Sequence, residues 1–350
     1  MIVITAGLLS SASTWANNIV RELMCARTPA RPPASQFADT LSGLPPAGGD
    51  LLLKSHHPRS DLCQLAAGGE ARLIVTLRDP RDAVASLMQR FGRSFEQSCR
   101  DIASSLAYLD ALPLDRALVL RYEDRFMDSP DTILAIARFL GIECTEALAR
   151  TLAGRYSTNA VAVLAKAIPG LPSSQVRQEV DSMIHLETGF HTNHVTDARV
   201  GKHADVLDAR QRVIVNGLLG TYLLRHGYST GVPRIPVECF SLQANARRVE
   251  SLVLLSAGEG SDCMIYGPYM NLPAGRWEAR FLMEAASDAE VLVDVALAGD
   301  GISAARLRLP PDRARTLEFF ITDPASEIEF RVFSPRGADV LFRGVELVRP

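Results

Sequence analysis

What the 350-residue sequence lacks narrows its chemistry before any motif is weighed. No run of 18 apolar residues occurs, so no membrane span is expected. Six cysteines, at 25, 63, 99, 144, 239 and 263, show no paired spacing. They read as small buried residues in a reducing compartment rather than as a disulfide framework. The formal net charge is only −3, which excludes a general binder of nucleic acid or of membrane surface, so any basic site must be local. Gly-x-Ser-x-Gly, His-Glu-x-x-His and the dinucleotide-binding Gly fingerprint are all missing. His185, His191, His194 and His203 lie close together, but no spacing among them matches a recurrent zinc site and no Cys is near. They read as solvated or lid-loop histidines, and no metal is expected. The chain opens on a strand instead of a basic and hydrophobic leader, so no signal peptide is expected.

What is present begins at once. Met1-Ile-Val-Ile-Thr5 reads as a strand, and Trp15, Ile19 and Leu23 mark the apolar face of a helix. Between them runs Ala6-Gly-Leu-Leu-Ser-Ser-Ala-Ser-Thr14. A strand, a tight loop of small and hydroxyl residues, and a helix N-terminus together build an anion site: backbone N–H groups converge and the helix end adds partial positive charge. A phosphate or sulfate ester is the expected ligand. An ATP/GTP P-loop is not, because no Gly-Lys-Ser/Thr occurs.

Two later segments repeat the strand-to-helix design. Leu73–Leu77 reads as a buried strand running into Arg78-Asp-Pro-Arg-Asp82 and a helix through Leu87. Ala117–Arg121 reads as a strand followed by Tyr122-Glu-Asp and a helix from Pro130 to Leu140, capped by Asp128 or Ser129 and ended by Gly141. On these residues the chain resembles the sulfotransferases that use 3′-phosphoadenosine-5′-phosphosulfate (PAPS). Ser11-Ala-Ser-Thr-Trp15 resembles their 5′-phosphosulfate loop, and Lys54-Ser-His56 their Lys-Thr-His strand end. Arg78 and Ser86 resemble the 3′-phosphate pair, and Tyr122-Glu-Asp the segment near the adenine and 3′-phosphate. Asn193–Lys202 is similar to the late loop that folds a basic residue over that phosphate.

The resemblance covers residues 1–230 and implies roles residue by residue. Ser10, Ser11, Ala12, Ser13 and Thr14 form the loop that holds the 5′-phosphate, with Trp15 against adenine. Arg78 and Ser86 hold the 3′-phosphate, helped by Tyr122 and by Arg199 or Lys202. His56 is the general base and Lys54 the cation at the sulfuryl group. One departure matters: Ser10 stands where the family carries Lys or Arg, and Ala12 where it carries Gly. Lys54 could fill that gap, or activity is low. The Golgi relatives of the family carry a membrane span that this chain lacks, which implies a cytoplasmic enzyme.

The chemistry is consistent with these residue types. Sulfuryl transfer, like phosphoryl transfer, is an in-line displacement that relies on positioning and charge stabilisation. An imidazole titrates near neutrality and suits the base, and Lys54 lies two residues from His56, on the same face of an extended strand. Simpler readings compete. Ser11–Thr14 could be an ordinary helix cap, His56-His57-Pro58 a loop, Arg78–Asp82 a salt-bridged turn with Asp79 or Asp82 capping the next helix, and Trp15 and Tyr122 core aromatics.

Organisation changes once along the chain. Residues 1–144 alternate strands and helices, predicting an α/β fold with a mostly parallel sheet and helices on both faces. Residues 145–200 are irregularly helical, broken by Pro169-Gly-Leu-Pro172, and are placed as an acceptor lid. Asp208–Arg225 reads as one long helix. Residues 231–236 read as a linker, and 237–350 as an antiparallel β-sandwich of the jelly-roll kind, with Leu272-Pro-Ala-Gly275 among its turns. Tyr266, Tyr269 and Trp277 could form a sugar-stacking platform there or pack in the core. A saccharide or glycan hydroxyl is the expected acceptor. The alternatives are a nucleotide-dependent kinase on the same architecture and a non-catalytic glycan-binding protein with a decayed nucleotide site.

Overall fold

The computed structural model describes residues 1–44, 49–229, 233–285, 289–297, 301–309 and 315–349. Two compact units emerge. One holds Met1–Ser98 and Tyr108–His203, the other Cys99–Ala107 and Ala204–Pro350.

The first unit is built on five parallel strands: β1 (Ile2–Gly7), β2 (Ala34–Phe37), β3 (Leu51–Ser55), β4 (Ala71–Leu77) and β5 (Leu118–Arg121), in the order β2-β3-β1-β4-β5. β1, β3 and β4 are buried along nearly their whole length, which is why they read as unbroken apolar runs rather than alternating ones. β2 is exposed at every position and lies at the sheet edge; its polar Ala-Ser-Gln-Phe carries no strand pattern. After β1 comes α1 (Ser13–Arg27), whose Trp15, Ile19, Val20 and Leu23 enter a core shared with α5 (Pro130–Leu140). Ahead of α5 run α2 (Ser60–Gly68), α3 (Pro80–Phe91) and α4 (Phe95–Leu109), of which Cys99–Ala107 belongs to the second unit.

Local chemistry fixes the helix ends. Asp79 caps α3 by accepting from the Arg81 N–H at 2.9 Å, with Pro80 in the first turn. Ser129, rather than Asp128, caps α5, which ends at Gly141 in the left-handed region (φ 67). Residues 145–200 form helices Glu146–Arg155 and Thr158–Ala167, then a two-stranded hairpin, Val176–Gln178 with Met183–His185.

In the second unit, the stretch expected as one helix is two, Ala209–Leu218 and Gly220–Arg225. Close packing fixes the glycines on either side of the break: a Cβ on Gly217 would lie 2.4 Å from Pro236 Cδ, and one on Gly220 3.1 Å from Pro233. Of the expected linker, residues 231 and 232 lie outside the described residues, while Arg234–Ile235 pairs with Val340–Val348. Beyond it stand two six-stranded antiparallel sheets. Inward residues of both, including Trp277, Phe281, Phe330 and Phe342, form a single core. Trp277 is 1% exposed and its indole N–H donates to Pro273 O at 2.9 Å, so it is a core anchor and no part of a surface platform. Tyr266 and Tyr269 meet edge to face at 6.3 Å, with Tyr269 exposed. The strand Gly301–Leu309 escaped the sequence reading, and none of the six cysteines forms a disulfide among the described residues. Among the described residues, no helix is long and apolar enough to cross a membrane.

Candidate functional site

The loop between β1 and α1 is pinned to β4. Leu8 N–H donates to Thr76 O at 3.1 Å. Ser11 Oγ donates to Leu8 O and accepts from Thr76 Oγ1, both at 2.6 Å. With both bonds made and no exposure, Ser11 faces inward and does not line the cavity above; its hydroxyl builds the loop instead of holding phosphate. Gly7 is dictated by contact rather than by φ: a Cβ there would lie 2.0 Å from Thr76 Oγ1. Ser10 and Ala12 are both left-handed (φ 64), at a cost of about 1–2 kcal/mol each for residues with a Cβ. Such residues turn neighbouring N–H groups into one concavity, and the first-turn N–H groups of α1 have no intrahelical acceptors. The sequence therefore builds an anion nest with Ala where Gly would be easiest.

Above the loop lies a cavity of about 340 Å³, lined by Ser10, Ala12, Ser13, Thr14, Trp15, Lys54, His56, Arg78, Ser86, Tyr122 and Lys202 among others. Lys54, Arg78, Arg90, Arg93 and Lys202 line it, and no Asp or Glu does. In a chain of net charge −3 this is a concentrated cationic pocket.

Lys54 and His56 line the cavity where β3 stops. Lys54 Nζ donates to Thr14 Oγ1 at 2.6 Å. Burial, then the Arg90 charge, pushes its pKa down to about 8. His56 Nδ1 lies 2.7 Å from the Gly7 carbonyl. A carbonyl can only accept, so the imidazole proton sits on Nδ1 and Nε2 is the basic nitrogen. Burial, then the Lys54 charge, pushes His56 down to about 3, so the ring is neutral. Asp39 holds the turn: it accepts from Ser55 Oγ at 2.6 Å and from the His57 and His56 N–H groups at 3.1 and 3.3 Å. Phe37, at the exposed end of β2, has its ring 5.8 Å from that of His56. Neither Asp39 nor Phe37 carried a sequence signal.

Arg78 also lines the cavity; it is 2% exposed and donates to Ser10 O at 2.9 Å and Arg199 O at 3.0 Å. Its guanidinium sits 4.0 Å over the Tyr122 ring, and Asp82 approaches to 3.8 Å. Arg78 Nε is buried with no acceptor, and Trp15 Nε1 likewise. Ser86 and Tyr122 are buried beside Arg78's cavity face. Residues 193–203 are tied beside Arg78 by Asp82, which accepts from Gly201 N at 2.7 Å, His203 N at 3.0 Å and His203 Nδ1 at 2.7 Å. Burial pushes the Asp82 carboxyl up, but these bonds and Arg78 outweigh it and hold the pKa low. Lys202 lines the cavity while donating to Thr196 Oγ1 and Asp197 Oδ1 at 3.0 Å each. Arg199 contributes its carbonyl; its side chain is exposed, bound to Asp197, and is not in the lining.

Several lining residues were missed in the sequence. Arg90, in the last turn of α3, turns into the cavity. His191 and His194 lie on the late loop beside Phe190, their rings stacked at 5.9 Å. Burial, then the Arg90 charge, lowers His191 to about 4 and holds His194 well below its ordinary value, so both are neutral. They line the cavity from the late loop, so of the two positions expected, solvated or in a lid loop, they do not take the solvated one. Among the described residues, no group of His, Cys, Asp and Glu is placed to hold a metal ion.

Lys54 supplies a pH test. Its charge is complete below pH about 8 and lost above it. The affinity of the free protein for an anion should therefore be flat near neutrality and fall as pH rises past about 8. Lys54→Arg should move that fall to higher pH, since Arg keeps its proton. Calorimetric titrations across pH check this; a fall still near 8 in the variant would assign it to another group.

Residues 46–167 match the family model described as "Sulfotransferase domain", a span that includes Lys54, His56, Arg78, Ser86 and Tyr122 and starts after the first loop. Comparison with curated protein sequences finds no match. Among solved structures, the chain is similar to a mouse sulfotransferase complexed with PAP: 12% identity, 65% of this chain and 85% of that one covered, TM-score 0.45. It is also similar to retinol dehydratase in complex with androsterone and inactive cofactor PAP: 16% identity, 63% and 80% covered, TM-score 0.45. A further likeness is to TmCBM61 in complex with β-1,4-galactotriose: 14% identity, 32% and 81% covered, TM-score 0.22.

Proposed function

We propose that this chain is a PAPS-dependent sulfotransferase acting on an acceptor hydroxyl, with a saccharide as the acceptor class. The observation that carries the reading is one cationic cavity, lined by no described carboxylate, that brings together an anion nest, a His–Lys pair and a buried Arg–Ser–Tyr group. A ligand with more than one anionic group fits that lining. Arg78 Nε and Trp15 Nε1, buried without acceptors, fit a ligand that brings them.

Arg78 and Ser86 would hold the 3′-phosphate, with Tyr122 beneath and Lys202 beside them. Ser10, Ser13, Thr14 and the loop N–H groups would hold the 5′ end, with Trp15 beside adenine. The bound nucleotide supplies an activated sulfuryl group whose leaving group is the 5′-phosphate. His56 Nε2 takes the acceptor's hydroxyl proton, while Nδ1–H remains on Gly7 O and keeps the ring oriented. Lys54 and the nest offset negative charge growing toward the 5′-phosphate. A His56 pKa near 3 describes the free site; neighbouring anionic charge raises it toward the range useful for a base. Phe37 and Phe190 offer apolar faces and His191 and His194 polar edges, which suits a sugar ring. Six cysteines outside any disulfide among the described residues fit a reducing compartment, so the cytoplasm is the proposed location.

The test is calorimetric titration of 3′-phosphoadenosine-5′-phosphate (PAP) against ADP, on wild type and Arg78→Ala. PAP should bind wild type about 10–100-fold more tightly than ADP, and Arg78→Ala should remove that preference, as loss of charge-assisted hydrogen bonds implies. Equal affinity for the two nucleotides in the wild type would sink the reading.

A further inference from the structure

The loop from Leu8 to Ala12 carries no charged side chain, and the residue at its turn is Ser10. Two guanidinium groups nevertheless converge on that residue. Arg78 donates to its main-chain carbonyl at 2.9 Å, and Arg90 NH1 donates to its hydroxyl at 3.2 Å. Arg90 reaches there from the last turn of α3, where a basic residue commonly points to solvent and favours the helix C-terminus. Here it turns into the cavity instead, its Nε donating to Asn193 O at 2.9 Å while the Asn193 side chain returns a bond to Arg90 O. Both of its side-chain acceptors are neutral oxygens, and among the described residues it makes no ion pair with Asp or Glu. Burial and the nearby Arg78 charge push its pKa down to about 10. A half-buried guanidinium beside two further cations is costly unless an anion comes to it.

Resting on the nucleotide reading above, we propose that Arg90 is the cation of the 5′-phosphosulfate end, contacting the ligand across Ser10. Position 10 can then afford a neutral residue because the charge arrives from α3. A lysine at position 10 would occupy the same space with the same sign, so a cation from the loop and one from α3 are alternatives.

The experiment is a charge relocation read by two nucleotides. PAP carries both phosphates, while adenosine 3′-monophosphate carries only the one assigned to Arg78. Arg90→Ala and Arg90→Gln should each weaken PAP about 10–100-fold and leave adenosine 3′-monophosphate near its wild-type affinity. Arg90→Gln keeps an amide donor for the Asn193 carbonyl, so a shared loss in the two variants follows the charge rather than the loop contact. Adding Ser10→Lys to Arg90→Ala should recover most of the PAP affinity. The assignment is overturned if PAP affinity survives Arg90→Gln, if both nucleotides weaken together, or if Ser10→Lys restores nothing. Wild type that fails to prefer PAP over ADP would overturn the nucleotide reading itself, and this assignment with it.

Discussion

Replacing His56 with alanine is expected to lower kcat by about 10²–10⁴-fold while leaving PAP affinity near wild type. The split follows from geometry. His56 is held through Nδ1–H on the Gly7 carbonyl and through its turn on Asp39, so its Nε2 is aimed by the same loop that forms the anion nest. The imidazole itself supplies no charge to that nest, because the ring is neutral in the free site. Removing it should therefore take away proton transfer and leave nucleotide contacts in place. His194, which also lines the cavity, is the natural control. The His191 N–H points at His194 Nδ1 at 3.5 Å, which places the His194 proton on Nε2 and suits it to donating rather than to accepting. Transfer of radiolabel from PAPS to an acceptor found by screening measures both variants. Loss of turnover in His194→Ala with full activity in His56→Ala would move the base to the late loop.

The site was legible in the sequence wherever its chemistry is local. β1, the small-residue loop and α1 are contiguous, and the apolar spacing of Trp15, Ile19 and Leu23 announces the helix whose N-terminus completes the nest. Lys54 and His56 share a face because they stand two positions apart with Ser55 between them, and Arg78 and Ser86 are set by one strand end and one helix. Ser11 shows where local reading fails. It looks identical to Ser10 and Ser13 in sequence, yet its partner Thr76 lies on another strand, and that pairing turns its hydroxyl inward. Arg90, Asp39 and His194 enter from the end of α3, from the segment after an exposed edge strand, and from the late loop, so only tertiary packing brings them to the cavity. The second unit follows the same rule. Alternating strands such as Ile328–Phe333 were readable, whereas the need for glycine at 217 and 220 comes from Pro236 and Pro233, which pack against them from farther along the chain.

Gly7→Ala should be the most damaging single-methyl change in the first unit, destabilising it by about 3 kcal/mol or more and abolishing measurable PAP binding. The added Cβ would lie 2.0 Å from Thr76 Oγ1, 2.9 Å from Ser13 Cβ and 3.1 Å from Ser11 Oγ. None of the three can yield cheaply. Thr76 Oγ1 is bonded to Ser11, Ser11 Oγ to the Leu8 carbonyl, and Ser13 is the first residue of α1. Relief therefore requires the loop to lift from β4, which spreads the nest and moves the Gly7 carbonyl that orients His56. Stability and function should fail together here, in contrast to His56→Ala, where only turnover should fall. Denaturant unfolding and calorimetric titration with PAP test the pair. Near-native stability in Gly7→Ala with intact PAP binding would show that the loop tolerates a side chain at its base, and the close packing of β1 on β4 would lose its place as the determinant of the anion nest.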